Sequence, residues 1–360
     1  MPAMAPGDLR RVLAKAYPWV KSPFIVGAPM RVLAGPSLAV AVSKAGGLGF
    51  IGPTLKAGDL KSDLEKAAEL IRSSPLAAEA IHCDHAILPI GVGFQTWNSD
   101  MKDCLAALEK HQPCAVWLFA PRHGQVELDE WVGSIRKASP ETKIWIQVGT
   151  LHEATDAVGS QSPPDVLVIQ GAEAGGHGRA KDGMGTIALF PEIADATRES
   201  GIPLIAAGGI IDGRGVAAAL SLGASGVAMG TRMLASTEAR ISKGYQNEIV
   251  RASDGATSTV RTQLYNHLRG TFGWPEQFSP RGVINRSWIE HQEGVPFDEL
   301  KKRHDQAAGA GDAGWGPDGR LATYAGAAVG LVRSVDDAAT IVEGVRREAR
   351  DIIKSLDSGL

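Results

Sequence analysis

The sequence predicts an α/β protein, a closed (β/α)8 barrel with a mainly helical insertion after its eighth strand. Three observations predict it. Short apolar runs recur eight times between residues 24 and 231, with helix-periodic segments between them. Most of these runs are continuously apolar rather than alternating, as parallel strands covered on both faces are. The chain has 360 residues, more than the roughly 250 of a plain barrel, which leaves length for an insertion. An open doubly wound sheet is the competing arrangement; eight consecutive right-handed units favour closure.

In order, the first run is Phe24–Met30, which ends in Gly27-Ala28-Pro29-Met30, and a helix follows over Ser37–Ala45. The second, Gly47–Gly52, precedes the helical pattern Leu60–Ile71, whose alternating charges suit a solvated outer face. Ile87–Phe94 leads to Met101–Lys110, Cys114–Ala120 to Leu128–Lys137, and Lys143–Gly149 to His152–Val158. Val166–Gly171 runs into a long glycine-rich turn before the helix Ile193–Glu199. Pro203–Gly209 precedes a helix over Gly215–Leu222, with Asp212 placed to cap its first turn and Gly223 to end it. Gly226–Thr231 is the eighth run.

After Thr231 the pattern changes. Residues 235–320 carry more charge, Trp and loop signals, with helices expected over Thr237–Ala252 and Pro296–Gln306 and no strand periodicity. Long ordered connections of this kind serve as lids or binding loops. Val335–Leu356 has one apolar face (Ala338, Ala339, Ile341, Val342, Val345) and is expected to return as the eighth barrel helix. The expected organisation is thus a barrel of residues 1–234 and 331–360, with 235–330 inserted over its mouth.

A net charge of −3 with 44% hydrophobic and 21% charged residues argues against a nucleic-acid partner or an anionic membrane surface. Gly, Pro or charge interrupts every apolar stretch before it reaches a membrane span. Met1–Lys21 has basic residues without an apolar core and cleavage site, and the chain does not end in Ser-Lys-Leu, so a cytoplasmic location is expected. Cys83, Cys104 and Cys114 are too few for a disulfide framework and are expected to be reduced. His82-Cys83-Asp84-His85 has metal-ligating residue types, but four adjacent positions make a poor site, and no metal is expected.

The 43 glycines cluster at particular places. Gly171-Ala172-Glu173-Ala174-Gly175-Gly176-His177-Gly178, Gly208-Gly209 and Gly230-Thr231 follow the sixth, seventh and eighth strands. A barrel places its site at these strand ends and commonly holds phosphate beside the last two. A phosphate must be met by backbone N–H groups, which glycine leaves uncovered and in which it permits φ > 0; Thr231 can add a hydroxyl. By themselves these turns do not distinguish a flavin mononucleotide from a sugar phosphate.

Gly27-Ala28-Pro29-Met30, Ala45-Gly46-Gly47-Leu48-Gly49, Glu173-Ala174-Gly175-Gly176-His177, Ala207-Gly208-Gly209-Ile210, Gly213-Arg214-Gly215, and Leu222-Gly223-Ala224 through Met229-Gly230-Thr231-Arg232 occur in that order. This ordered set resembles the nitronate monooxygenases, formerly 2-nitropropane dioxygenases, over roughly residues 20–235 and again at Tyr324-Ala325-Gly326. Flavin-dependent enoyl-acyl-carrier-protein reductases and NADH:quinone reductases carry nearly the same motifs. The resemblance implies an FMN-dependent TIM barrel without a metal. It implies that Ala28, Pro29 and Met30 pack near the isoalloxazine ring, that Gln147 meets the ring, that Gly175 and Gly176 contact the cofactor, and that Gly208, Gly209, Gly230 and Thr231 hold the phosphate. His177 matches the family's catalytic histidine, and Tyr324 is a candidate for the substrate pocket. One departure is Ala325-Gly326-Ala327, where the family often has Ala-Gly-Gln; with the Trp-rich insertion it points to a different or bulkier substrate.

What the resemblance implies about chemistry is oxidation of alkyl nitronates, and with a base also of nitroalkanes, by O2 to a carbonyl compound and nitrite. A histidine about 3 Å from the acidic carbon would be an efficient base, and on that expectation His177→Asn abolishes turnover of neutral nitroalkanes while sparing nitronates. Arg179 and Lys181 are candidates for meeting an anion; Trp274, Trp288 and Trp315 either shape a pocket or anchor the insertion. Two other activities compete: NAD(P)H-dependent reduction of quinones or enoyl thioesters by the same cofactor, and a non-redox isomerase or lyase acting on a phosphate-bearing substrate. The expected partners are a small-molecule substrate and O2.

Overall fold

The computed structural model describes residues 6–54, 57–74 and 87–359. Eight parallel strands close into a barrel: β1 (Ile25–Gly27), β2 (Leu48–Ile51), β3 (Leu88–Gln95), β4 (Pro113–Phe119), β5 (Lys143–Val148), β6 (Val166–Gln170), β8 (Leu204–Ala207) and β9 (Gly226–Met229). Closure is made where Ile25 pairs with Val227 and Gly27 with Met229. Each of these strands lies within one residue of an expected run. Residues alternate between two cores. Ile144, Ile146, Leu167, Ile169, Leu204 and Val227 face the surrounding helices, whereas Trp145, Val168, Ile205 and Ala228 fill the interior with Phe50 and Trp117. The Trp117 and Trp145 rings stack at 5.8 Å, with Phe50 edge-on to Trp117 at 5.4 Å. Gly91 makes room for them: a Cβ there would fall 2.2 Å from Phe50.

An N-terminal helix, α1 (Pro6–Ala16), and the residues just after it seat Leu13, Tyr17 and Trp19 on this interior core. The indole of Trp145 donates to the Tyr17 hydroxyl at 2.7 Å. The outer helices are α2 (Pro36–Lys44), α3 (Ala57–Ser73), α4 (Met101–His111), α5 (Gln125–Ala138), α6 (Leu151–Gly159), α7 (Thr186–Ala196) and α8 (Gly213–Ser221). α7 begins seven residues before the helix expected at Ile193, because Pro191 sits inside it rather than starting it; an internal proline forfeits one i→i−4 bond and so reads as a boundary. Asp212 caps α8 by accepting from the amides of Arg214 and Gly215, and Gly223 at φ +101° follows its end. The last helix, α15 (Ala338–Gly359), packs beside α8 and α2 as the eighth barrel helix. There Arg346 donates to the carbonyls of Ala45 and Gly46.

The segment after the barrel holds α9 (Thr231–Leu234), α10 (Lys243–Arg251), α11 (Gly255–Ser258), α12 (Leu264–Leu268), α13 (Arg286–Gln292) and α14 (Phe297–Gly309). It is mainly helical, but it also contains two strands that periodicity does not reveal: β10 (Thr259–Arg261) and β11 (Phe278–Val283). They form an antiparallel sheet with β7 (Gly176–Arg179), which belongs to the glycine-rich turn after β6. β10 has three residues, β11 contains Pro280, and β7 reads Gly-His-Gly-Arg. Such segments have little strand propensity of their own and pair because the edges meet. His177 therefore lies in a strand, opposite Pro280. No helix among the described residues is long and apolar enough to cross a membrane. Residues 82–85 lie outside the described part.

Candidate active site

The strand ends and the insertion enclose a cavity of about 690 Å3. Its wall includes Ala28, Pro29, Met30, Gln147, Gly175, Gly176, His177, Gly208, Gly209, Gly230, Thr231 and Tyr324, so candidates that lie up to 296 residues apart are brought to one place. The floor is built by close backbone approach. Ala28 N–H donates to Met229 at the β1–β9 seam. A Cβ on Gly52 would stand 2.0 Å from the Met30 carbonyl oxygen, and one on Gly93 2.5 Å from Pro29. Both glycines are the reason that the Pro29-Met30 turn can lie against β2 and β3. Val32, two residues on, holds φ +66° with its amide donating to Pro53, an unusual conformation for a β-branched residue and one concentrated at ligand sites.

Above the floor, Gly208 and Gly209 hold φ +99° and +75°, and a Cβ on Gly208 would come 2.9 Å from the Gly171 carbonyl. Glu173 ties this region together: its carboxylate accepts from Thr186 N–H (2.9 and 3.1 Å) and from the Thr186 hydroxyl, capping α7 at its positive end. The Thr186 hydroxyl also lies 3.3 Å from the Gly208 carbonyl. The returning segment 325–327 is joined on the other side, with Ala327 N–H donating to Glu173 and Gly326 N–H to the Thr231 hydroxyl at 3.0 Å. Because the Thr231 oxygen accepts there, its own hydrogen is left to donate. Ala327, where the resemblance usually has Gln, is not on the cavity wall; Gly326 and Ala328 are.

Gln147 is oriented by Trp117, whose indole donates to Oε1 at 3.0 Å; the amide nitrogen is the end left to donate. Gln95 also lines the cavity, and its Oε1 is buried without a hydrogen-bond partner among the described residues. Among the described residues the charged side chains of the wall are Arg31, Arg240 and Arg269, and none is Asp or Glu. Arg240 is paired with Asp63. Burial, together with Arg269, holds the Arg31 guanidinium below its ordinary value, and its Nε is buried without a hydrogen-bond partner among the described residues. The cavity is thus electropositive and carries several donors that protein groups do not use.

His177 stacks on Trp274 with ring centroids 3.5 Å apart and planes 8° apart. Asn266 Nδ2 lies 2.9 Å from its Nε2. Burial, helped by Arg261 and Arg31, pushes the imidazole well below its usual pKa, so it is neutral near pH 7. A stability effect follows. The unfolded chain takes up this proton first, near pH 6.5, so the folded protein loses stability as pH falls below that value and not above it. The His177→Asn protein should therefore lose less thermal stability than the wild type between about pH 7.5 and 5; equal acid shifts in the two would contradict the assignment.

Three of the other candidates, Arg179, Lys181 and Trp288, fall outside the cavity. Arg179 is taken by Glu153 at 2.6 Å and by Asp182 and lies over the Phe278 ring; Lys181 is exposed. Trp274 and Trp315 line the cavity, while Trp288 packs with Leu264, Tyr265 and Leu300 in the insertion. Sequence reasoning did not find Arg31, Gln95, Gln263, Asn266 or Arg269. Arg31 had a signal, being adjacent to Met30; the residues at 263–269 stand in no motif.

A family model described as Nitronate monooxygenase matches residues 124–271. The chain is 66% identical over 356 residues to "Nitronate monooxygenase npaC" of Metarhizium robertsii, covering 99% of each. It is 33% identical to a nitronate monooxygenase of Neurospora crassa, covering 95% of this chain and 93% of that one. Among solved structures, FabK from Thermotoga maritima is similar with a TM-score of 0.72 at 25% identity, over 97% of this chain and 98% of that chain. The nitroalkane oxidase of Streptomyces ansochromogenes has a TM-score of 0.71 at 23% identity, over 96% and 99%, and supports the barrel fold.

Proposed function

The chain belongs to the nitronate monooxygenase family, and from that premise we propose how its cavity serves the reaction of an enzyme that oxidises alkyl nitronates. The observation that carries this reading is the electropositive cavity at the strand ends, with glycine turns on one side and Arg31, Arg269 and His177 in its wall. Family members are flavin-dependent, and the residues here fit FMN. Side chains are missing where a phosphate needs backbone amides, at Gly208, Gly209 and Gly230, and the Thr231 hydroxyl is free to donate. Ala28, Pro29, Met30, Gly175 and Gly176 would bound the ring system, and the Gln147 amide would donate to its polar edge. The flavin supplies the electron chemistry, with O2 as co-substrate and a carbonyl compound and nitrite as products. The protein binds, orients and shields. His177 would meet the nitro-bearing end of the substrate, with Tyr324 beside it. A positive cavity favours the nitronate anion over its neutral nitroalkane. Residues 1–234 and 331–360 form the barrel in this reading, and 235–330 cover its mouth.

The purified protein should be yellow, with flavin absorption bands. Under anaerobic conditions a primary nitronate should bleach them, and NADPH should do so at least about a hundredfold more slowly. Rapid bleaching by NADPH alone would favour a reductase, and a colourless protein that binds no FMN would remove the flavin altogether.

A further inference from the structure

The orientation of His177 is set by a chain of hydrogen bonds that starts at a backbone carbonyl. The Phe278 carbonyl can only accept, and it does so from Gln263 Nε2 at 2.7 Å. Gln263 must then present Oε1 to Asn266, whose Nδ2 donates to it at 2.7 Å. The Asn266 Oδ1 accepts from the Tyr324 hydroxyl at 3.0 Å. The second hydrogen on Asn266 Nδ2 is directed at His177 Nε2, 2.9 Å away. Flipping the Asn266 amide would set its oxygen against Gln263 Oε1; flipping Gln263 as well would leave the Phe278 carbonyl without its donor. Gln263 and Asn266 lie three residues apart, on one face of the first turn of α12.

Nε2 of His177 is therefore an acceptor, and a neutral imidazole with an accepting Nε2 carries its proton on Nδ1. One ring face is covered by Trp274. Nδ1 is the polar atom of the ring left for a ligand. A base needs a lone pair directed at the substrate, and here the lone pair is held by Asn266. A proton arriving at Nε2 would face the Asn266 N–H.

We propose that Asn266, held by Gln263, is a positioning residue that keeps His177 in the Nδ1–H form, so that His177 meets the nitronate as a hydrogen-bond donor and is not the base for neutral nitroalkanes. The proposal rests on the nitronate reading above. It accounts for an arginine-bearing cavity without Asp or Glu among the described residues: the substrate arrives already ionised, and the site is built to hold an anion. On this assignment His177→Asn slows nitronate turnover too, the opposite of what a base would give.

Two measurements test it. In holoenzyme labelled with 15N-histidine, the imidazole signal missing from the His177→Asn spectrum should belong to a neutral ring with a bare Nε2 and a protonated Nδ1. The Nε2–H form would overturn the proposal, and this readout needs no substrate, so it stands apart from any failure of the nitronate reading. In the second, Asn266→Asp supplies an acceptor to Nε2–H and transfers the bare lone pair to Nδ1. The proton of the acidic carbon can then pass to Nδ1 while its bonding pair stays on the substrate as the nitronate. The ratio of kcat/KM for nitroethane to that for ethyl nitronate should rise about tenfold or more over the wild type; an unchanged ratio in a folded, flavin-loaded variant would overturn the proposal.

Discussion

Flavin is expected to be lost from the Gly208→Ala protein. Gly208 holds φ +99°, and an added Cβ would lie 2.9 Å from the Gly171 carbonyl oxygen and 3.2 Å from the Ala174 amide. A non-glycine residue in this region costs about 1–3 kcal/mol. The protein can carry that strain or relax the turn. Relaxing is the easier path when no ligand holds the turn in place, and it turns the Gly208-Gly209 amides away from the phosphate position proposed above. Strain and lost amide contacts together come to about 3 kcal/mol, or more than about a hundredfold in FMN affinity. Flavin absorbance after dialysis and FMN fluorescence titration read this directly, while circular dichroism should remain that of a folded barrel. Retention of FMN at wild-type affinity would show that this turn does not hold the cofactor.

Gly175→Ala should be the more damaging change to the site as a whole. Its Cβ would stand 2.4 Å from the Gly326 nitrogen and 2.5 Å from the Ala325 carbonyl carbon. Both are backbone atoms, so no side chain can yield. The 173–177 turn must part from the 325–327 segment, breaking the Ala327–Glu173 and Gly326–Thr231 hydrogen bonds. Overpacking of this kind costs about 3 kcal/mol, and His177 is displaced two residues away. Misplacement by about 1 Å costs roughly a hundredfold in rate, so a fall of that order in kcat/KM for a nitronate is expected, with a melting temperature lower by several degrees. Gly223→Ala is the control. It holds φ +101° with no atom within 4 Å of its Cβ and carries only backbone strain, about 1–2 kcal/mol, so it should lose stability but keep nitronate kcat/KM. Equal activity losses in the two variants would refute the role given to the 175–326 contact.

Most of the eight barrel strands were legible because burial on both faces leaves a near-continuous apolar run, as in Pro113–Phe119 and Val166–Gln170. Asp212 and Gly223 were legible because capping is local. The glycine turns were legible for the same reason: a strand end followed by Gly-Gly needs no distant partner to be recognised. The strands β7, β10 and β11 were not: β7 and β11 pair across about 100 residues, β10 has only three residues, and none of the three carries a period of its own. The thiols Cys104 and Cys114 are buried, and the Cys104 thiol is pushed up to about 12 by burial, as inert structural cysteines are.

From the sequence alone come the barrel, the face that bears the site, the glycines that can admit a phosphate, and His177 as the residue to watch. Those are consequences of composition and spacing within single elements. Tertiary structure decided what surrounds His177. Asn266 lies 89 residues from it, Tyr324 is 58 from Asn266, and Trp274 reaches the ring only because β11 pairs with β7. The proton of an imidazole goes to the nitrogen that its neighbours leave for it, and those neighbours are a product of how the insertion folds back over the barrel.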